Sequence, residues 1–307
     1  MILAMEQLNS QRIQLLHSKA MADGVRLQRI QNEVRGLQIR AVWNHLAVRL
    51  NSQHIPVRAA CRNLPAEKEL ALARRGSTKQ RTVVYTCVTG TYDMPVRPFY
   101  RFDHCDYVLF SEHPADGWSW QKIPEKLQKM KHPAWINRYL KLHPFQFFAD
   151  QYDYAVYIDG NITPVSDLSV LSELVNPKTG LAFHRHCSRS SLSGEVTACK
   201  NLNKGNPRYL RRQIRKYKSE GMPDNYGLAE GNVIVTDLKN HTAKKLMDMC
   251  WHEFAAHNGG RDQIVWPYVL WKSGICMEEV CTLGNNVWMN PKLYITEHAR
   301  NRQSDRK

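Results

Sequence analysis

Residues 152–163, YDYAVYIDGNIT, join an apolar run (Ala155, Val156, Tyr157, Ile158) to an abrupt acidic turn, Asp159-Gly160-Asn161. A buried strand ending this way presents a carboxylate and an amide at the carboxyl edge of a sheet. Open α/β folds bind their ligands at that edge. Oxygen donors there suit a hard divalent cation, Mg²⁺ or Mn²⁺, which in turn grips a diphosphate. The same triplet can also simply close the strand, because Asp, Gly and Asn are common turn residues.

Other boundary positions carry related chemistry. Thr89-Gly90-Thr91-Tyr92-Asp93 follows the β-rich run 82–89. A small glycine loop there lets a nucleotide approach the backbone, and Tyr92 is placed to cover a base. Arg138 and Lys141 are three apart and share a helical face. Two cations near a diphosphate stabilise charge on a leaving nucleoside diphosphate. His184, Arg185 and His186 end the run 180–186, with Glu195 beyond. Alternation sets His184 and His186 on one face, and His184 is read as a donor-site residue. Glu230, Gly231 and Asn232 open another strand-like run. Asp262 and Gln263 stand at a helix start, where an acid either caps the helix or points into a cleft.

The elements that must hold these residues alternate. Strand patterns fall at 82–89, 105–111, 155–158, 180–186 and 231–237, with a short one expected near 274–281. Helical patterns fall at 134–149, 207–220, 242–257 and 262–271. Alternating strands and helices predict an α/β fold with a mainly parallel, Rossmann-like sheet flanked by helices. The GxGxxG and GxxxxGK[ST] fingerprints are absent. Ahead of this unit, Ile13, Leu16, Ala20, Leu27, Ile30, Val34, Leu37 and Ala41 predict a long amphipathic, coiled-coil-like helix within 1–50. Residues 51–80 read as a linker, 81–299 as the main domain and 300–307 as a basic tail.

The chain has 307 residues, 43% of them hydrophobic, and a net charge of +15. Residues 1–80 carry 13 Lys/Arg against 5 Asp/Glu, and the tail carries 4 against 1, so most of the basicity sits at the ends. Such charge suits anionic lipid, a polyanionic glycan or nucleic acid. Eight cysteines are scattered without a Cys-x-x-Cys pair, and the N-terminus lacks a signal-peptide pattern. A cytoplasmic protein is expected, with peripheral contact at the inner face of the membrane left open by the basic helix. The same helix makes a homo-oligomer a second open expectation.

Taken in order, TGTYD (89–93), RYLKLHPF (138–145), YIDGNI (157–162), FHRH (183–186) with Glu195, RQIRKYKSEGMP (212–223), LAEGNVIV (228–235), WHEF (251–254) and RDQIVWPYVLWK (261–272) resemble a glycosyltransferase-like family. That family, once catalogued as a domain of unknown function, occurs in bacterial polysaccharide loci and in plant proteins linked to mucilage and pectin. The resemblance runs over about 81–272 and implies a GT-A-type fold and a nucleotide-sugar donor. It makes YIDGN similar to an Asp-x-Asp motif in which Asn161 replaces the second acid, so metal affinity is expected to be weaker. The GNVIV strand followed by Asp262-Gln263 is similar to retaining, Mn²⁺-dependent hexosyltransferases, which implies that both residues face the donor sugar.

The expected function is transfer of a hexose or uronic acid from a nucleoside diphosphate sugar, UDP-sugar favoured, to a glycan or lipid-linked acceptor. Asp159 and Asn161 are the expected metal ligands. Thr89, Gly90, Tyr92, Arg138, Lys141, Gly160 and His184 complete the donor site. Asp262 or Glu230 would be the base of an inverting reaction; Gln263 would support the sugar in a retaining one. The alternative is a non-enzymatic basic glycan- or RNA-binding protein. Acidic residues converging on one strand edge repel phosphate unless a metal intervenes, which disfavours nucleic acid.

Overall fold

The computed structural model describes residues 80–298, apart from 91, 94, 99–103, 131, 202–203, 258–259, 291 and 297. The expected N-terminal helix, nearly all of the linker and the basic tail lie outside the described residues. The oligomer and membrane contacts expected of that helix lie outside them too.

Eight strands are described: β1 (Thr82–Cys87), β2 (Cys105–Ser111), β3 (Ser119–Lys122), β4 (Tyr154–Ile158), β5 (Ile162–Pro164), β6 (Leu181–Arg185), β7 (Ala229–Asp237) and β8 (Leu293–Ile295). Six of them form one sheet in the order β3-β2-β1-β4-β7-β6, and β5 pairs with β8. The β1–β2, β1–β4 and β2–β3 pairs are parallel, whereas β7 runs antiparallel to both β4 and β6. This is the mainly parallel α/β sheet that the alternating pattern predicts.

The central strands β1 and β4 are buried along nearly their whole length because both sheet faces are covered. Val83, Tyr85 and Cys87 of β1 enter one core, while Val84 and the following Val88 enter the other. The helices are α1 (Glu125–Gln128), α2 (Pro133–Leu142), α3 (Pro144–Phe148), α4 (Leu192–Asn201), α5 (Pro207–Ser219), α6 (His241–Ala256) and α7 (Asp262–Lys272). The first core holds buried residues of α2, α4, α5, α6 and α7, including Leu140, Val196, Ile214, Leu246 and Trp266. The second is closed by Leu168, Val170 and Leu171 and by Leu283, Val287 and Leu293.

Two expectations change. The helix expected over 134–149 is two helices, broken at His143, whose φ of −124° and ψ of 42° leave the helical region. The cause is Pro144, which disfavours helical backbone in the residue before it. The strand expected within 274–281 is instead a short 3-10 turn at Met277–Glu279. Among the described residues no helix is long and apolar enough to cross a membrane. Cys87, Cys105, Cys187, Cys199, Cys250 and Cys276 form no disulfide among the described residues.

Candidate functional site

The strand order reverses direction between β1 and β4, and ligands of open α/β sheets bind outside the carboxyl ends of strands at such a point. Thr89 and Gly90 follow β1 there, and Asp159-Gly160-Asn161 follows β4. Gly90 has φ +61°, and its amide donates to the Glu112 carboxylate at 3.1 Å. Gly160 is needed for space. A Cβ there would sit 2.5 Å from Val88 Cγ2 and 3.2 Å from Asp93 Cβ. Gly160→Ala is therefore expected to lose about 1–3 kcal/mol of stability through overpacking. Urea denaturation measures it, and an unchanged midpoint would mean that the loop yields freely.

Asp159 is oriented from two sides. Its amide donates to the Asn232 carbonyl at 2.9 Å, and Tyr157 Oη donates to Asp159 Oδ1 at 2.8 Å. Asn137 Nδ2 reaches Tyr157 Oη at 3.1 Å and the Cys87 carbonyl at 2.8 Å, tying α2 to the ends of β1 and β4. The sequence reading missed Tyr157 and Asn137, since a tyrosine inside an apolar strand looks like core. The available signal is spacing: residues 157 and 159, two apart on a strand, share a face.

The donor atoms at this turn are hard oxygens. Asn161 Nδ2 donates to the Thr296 carbonyl at 2.6 Å, which pins the amide and commits its nitrogen, leaving the carbonyl oxygen for a ligand. Asn232 Oδ1 is buried with no hydrogen-bond partner. By donor type the Asp159 carboxylate and the Asn161 amide oxygen suit Mg²⁺ or Mn²⁺, with less negative charge than a two-carboxylate site supplies. A second grouping, His186, Cys187 and Glu230, has ligand atoms within 4.8 Å of one another. It does not fit a cation, because the Arg189 guanidinium already stands 2.7 Å from His186 Nε2.

Beside the turn, Tyr92 is 45% exposed and packs on His298 at 4.8 Å between ring centroids. His298 Nδ1 lies 2.9 Å from Asp93 Oδ2. The 3.0 Å bond from the Thr296 amide to the Asn161 carbonyl and the β5–β8 pairing fold this late segment onto the acidic turn. His298 carried no recognisable pattern in the sequence; only the tertiary fold brings it to Asp93.

Arg138 and Lys141 do share a helical face, and both meet Asp262. Arg138 Nε lies 3.2 Å from Asp262 Oδ1, and Lys141 Nζ lies 2.5 Å from Oδ2. Lys141 is 2% exposed and Asp262 5%. Burial by itself would raise the Asp262 pKa, but the Arg138 and Lys141 cations outweigh it and hold the carboxyl well below the usual carboxylate range. Asp262 is the first residue of α7, with Arg261 at the cap position. A carboxylate so firmly ionised and doubly paired is a poor proton acceptor. The two cations are likewise engaged before any diphosphate arrives. Gly231 fits closely over this pair, since a Cβ there would stand 3.0 Å from Lys141 Nζ.

Glu230 is the other candidate base and has a different environment. Burial, with the nearby Glu195 carboxylate adding to it, pushes its pKa up to about 7. Gln263 Nε2 donates to Glu230 Oε2 at 3.3 Å, and His186 Nε2 lies 3.6 Å from Oε1. Burial and the adjacent Arg189 cation lower the His186 pKa to about 4, so this ring stays neutral near pH 7. Arg189 Nε donates to Glu195 Oε2 at 2.7 Å, and an Arg261 amine stands 3.9 Å from Glu195. The register between β6 and β7 jumps between Phe183 and His184, and Glu230 lies at that irregularity. Such irregularities re-aim side chains near sites.

His184 departs from its expected place. It is fully buried, its Nε2 faces Asn290 at 3.1 Å, and burial lowers its pKa to about 3. His186, expected on the same face, instead packs beside Glu195 and Glu230. Strict alternation fails because β6 ends at Arg185 and the chain turns away.

A search of solved structures finds similarity to an apo structure of WbbM, a bifunctional glycosyltransferase, at 13% identity and a TM-score of 0.37. The match covers 69% of this chain and 39% of that one, so the chain spans well under half of that protein's length. No curated protein matches the chain. A family model, TOD1/MUCI70, glycosyltransferase-like domain, matches residues 127–286. That span is just over half of the chain and holds Arg138, Lys141, the Asp159 turn, Glu230 and Asp262. In line with the resemblance read from the ordered segments, the chain belongs to the TOD1/MUCI70 glycosyltransferase-like domain family.

Proposed function

We propose that this protein transfers a hexose or uronic acid from a nucleoside diphosphate sugar, UDP-sugar favoured, to a glycan or lipid-linked acceptor. The observation that carries this reading is the Asp159-Gly160-Asn161 turn at the strand-order reversal between β1 and β4. Asp159 and Asn161 are the residues suited to hold Mg²⁺ or Mn²⁺. The bound cation would supply charge neutralisation for the diphosphate. Tyr157 keeps Asp159 oriented through its hydroxyl. The Thr89-Gly90 loop gives the nucleotide a close backbone approach, and Tyr92 offers an exposed ring for the base.

In this reading Glu230 takes the proton of the acceptor hydroxyl. The acceptor oxygen then bonds to the anomeric carbon as the bond to the nucleoside diphosphate breaks, and the diphosphate leaves with the electron pair. This use of Glu230 gives inversion at the sugar. What supports Glu230 over Asp262 is environment. A base is most effective when its pKa lies near the working pH. Gln263 holds Glu230 in place, and the Asp262 pair with Arg138 and Lys141 holds α2 against α7.

The test is calorimetric titration of UDP and GDP, each with and without Mn²⁺, into the wild type and Asp159→Ala. Saturable, metal-enhanced binding of one nucleotide is expected, weakened about tenfold in Asp159→Ala, about 1.4 kcal/mol. Metal-independent binding would remove the cation from the reading. Failure of every nucleotide to bind would sink the transferase and favour a basic glycan- or RNA-binding protein.

A further inference from the structure

Helix α5 has two unlike faces. Leu210, Gln213, Ile214 and Tyr217 are buried, and Tyr217 stacks on Tyr268 of α7 at 3.8 Å. On the other face Arg208, Arg211, Arg212 and Arg215 are all exposed. Their spacing, i, i+3, i+4 and i+7, puts them on one stripe about 10 Å long at 1.5 Å per residue. Among the described residues none of the four forms an ion pair with a carboxylate. The lysines of the same helix do: Lys216 lies 3.3 Å from Glu253, and Lys218 lies 3.0 Å from Asp224. The acids within reach thus pair with the lysines and leave the arginines open.

Four like charges within two turns repel one another, and such i,i+4 pairs weaken a helix. The packed face offsets that repulsion, and an anionic partner would remove it. The start of α5 and its buried face pack against the segment that leads into α7. A Cβ on Gly205, just before α5, would lie 3.9 Å from Arg261 Cγ, and one on Gly260 would lie 2.8 Å from Gln213 Oε1. Arg261 precedes Asp262 and Gln263, and Gln263 holds Glu230.

From this we infer that the exposed arginine stripe of α5 binds an anionic glycan, the extended part of the acceptor, through carboxylates borne on successive sugars. The inference rests on the transferase reading and gives its acceptor a charge class. Guanidinium forks match carboxylates in a bidentate way that lysine does not reproduce. Tyr209, 52% exposed on the same helix, adds an apolar face for a sugar ring. Single-stranded nucleic acid fits less well because it needs successive aromatic platforms. The exposed large hydrophobics among the described residues, Tyr92, Trp120 and Tyr209, stand on three separate segments.

The test uses the full chain and the variant Arg208→Gln/Arg211→Gln/Arg212→Gln/Arg215→Gln. The probes are a hexameric oligouronate, its carboxyl-reduced neutral counterpart, a single-stranded RNA hexamer and phosphatidylglycerol vesicles, each titrated at low and physiological salt. The oligouronate is expected to bind best, to weaken with salt, and to lose at least tenfold in affinity in the variant. UDP binding should stay within twofold of wild type, which also reports that the variant is folded. Unchanged oligouronate binding in the variant, equal binding of the neutral sugar, or tighter RNA or vesicle binding lost in the variant would each overturn the inference. Absence of both UDP and GDP binding by the wild type, by contrast, would count against the transferase reading.

Discussion

Glu230→Gln is expected to slow sugar transfer by about 10²–10⁴-fold, the usual contribution of a general base. The amide keeps the shape and the contact with Gln263 but takes no proton. In the wild type the rate should rise as pH passes through about 7, because the base works only when ionised and its pKa stands at about 7. The variant's residual rate should lack that inflection. Nucleotide affinity should change little, which separates this role from donor binding. The product's anomeric configuration should be inverted. A retained anomer with a flat pH profile would remove the base role from Glu230.

Stability offers an independent readout of the same group. Glu230 is held neutral in the fold above its ordinary value of 4.5, so between about 4.5 and 7 the native state binds more protons than the unfolded chain. Stability must therefore fall as pH rises through that window. Glu230→Gln should flatten the fall, as measured by urea midpoints across it.

The second large effect is on folding. Asp262→Ala should destabilise the protein by about 3–5 kcal/mol, the cost of leaving a buried ion without its partner. Lys141 is the reason: it is 2% exposed and 2.5 Å from Asp262. The Arg138 side chain, 22% exposed, has a route to water. Adding Lys141→Met to Asp262→Ala should recover part of the loss, because the stranded ammonium is gone. Denaturation of the two single variants and the double variant gives the coupling; strict additivity would mean that the pair is not a unit. The acid dependence has the opposite sign to that of Glu230. Asp262 is depressed in the fold, so its contribution is complete above the unfolded carboxylate range near 4 and is lost as pH falls toward the folded pKa.

Much of the architecture was legible from local chemistry. The β-rich runs read at 82–89, 105–111, 155–158 and 231–237 overlap strands that the sheet buries on both faces, and that leaves a plain mark in the sequence. Helices α5, α6 and α7 were legible for a related reason: each buries one stripe, or nearly all of itself, at helical spacing. The acidic turn after β4 stood out because a carboxylate and a glycine ended a buried run abruptly. Short edge elements such as β3, all of whose residues are exposed, leave no such mark.

The sequence by itself thus determined the alternation of strands and helices, and which polar residues sit at their ends. It placed Arg138 and Lys141 on one face because helical spacing is a local property. Only the tertiary structure decided their partner, 121 residues beyond Lys141, and so made Asp262 a buried anion rather than a free base. Only the fold divided His184 from His186, since β6 ends at Arg185, between them, and alternation stops there. The raised pKa of Glu230 is also tertiary in origin. A pKa depends on which charges and how much water lie around the group, and Glu195, Arg189 and Arg261 come to Glu230 from distant parts of the chain.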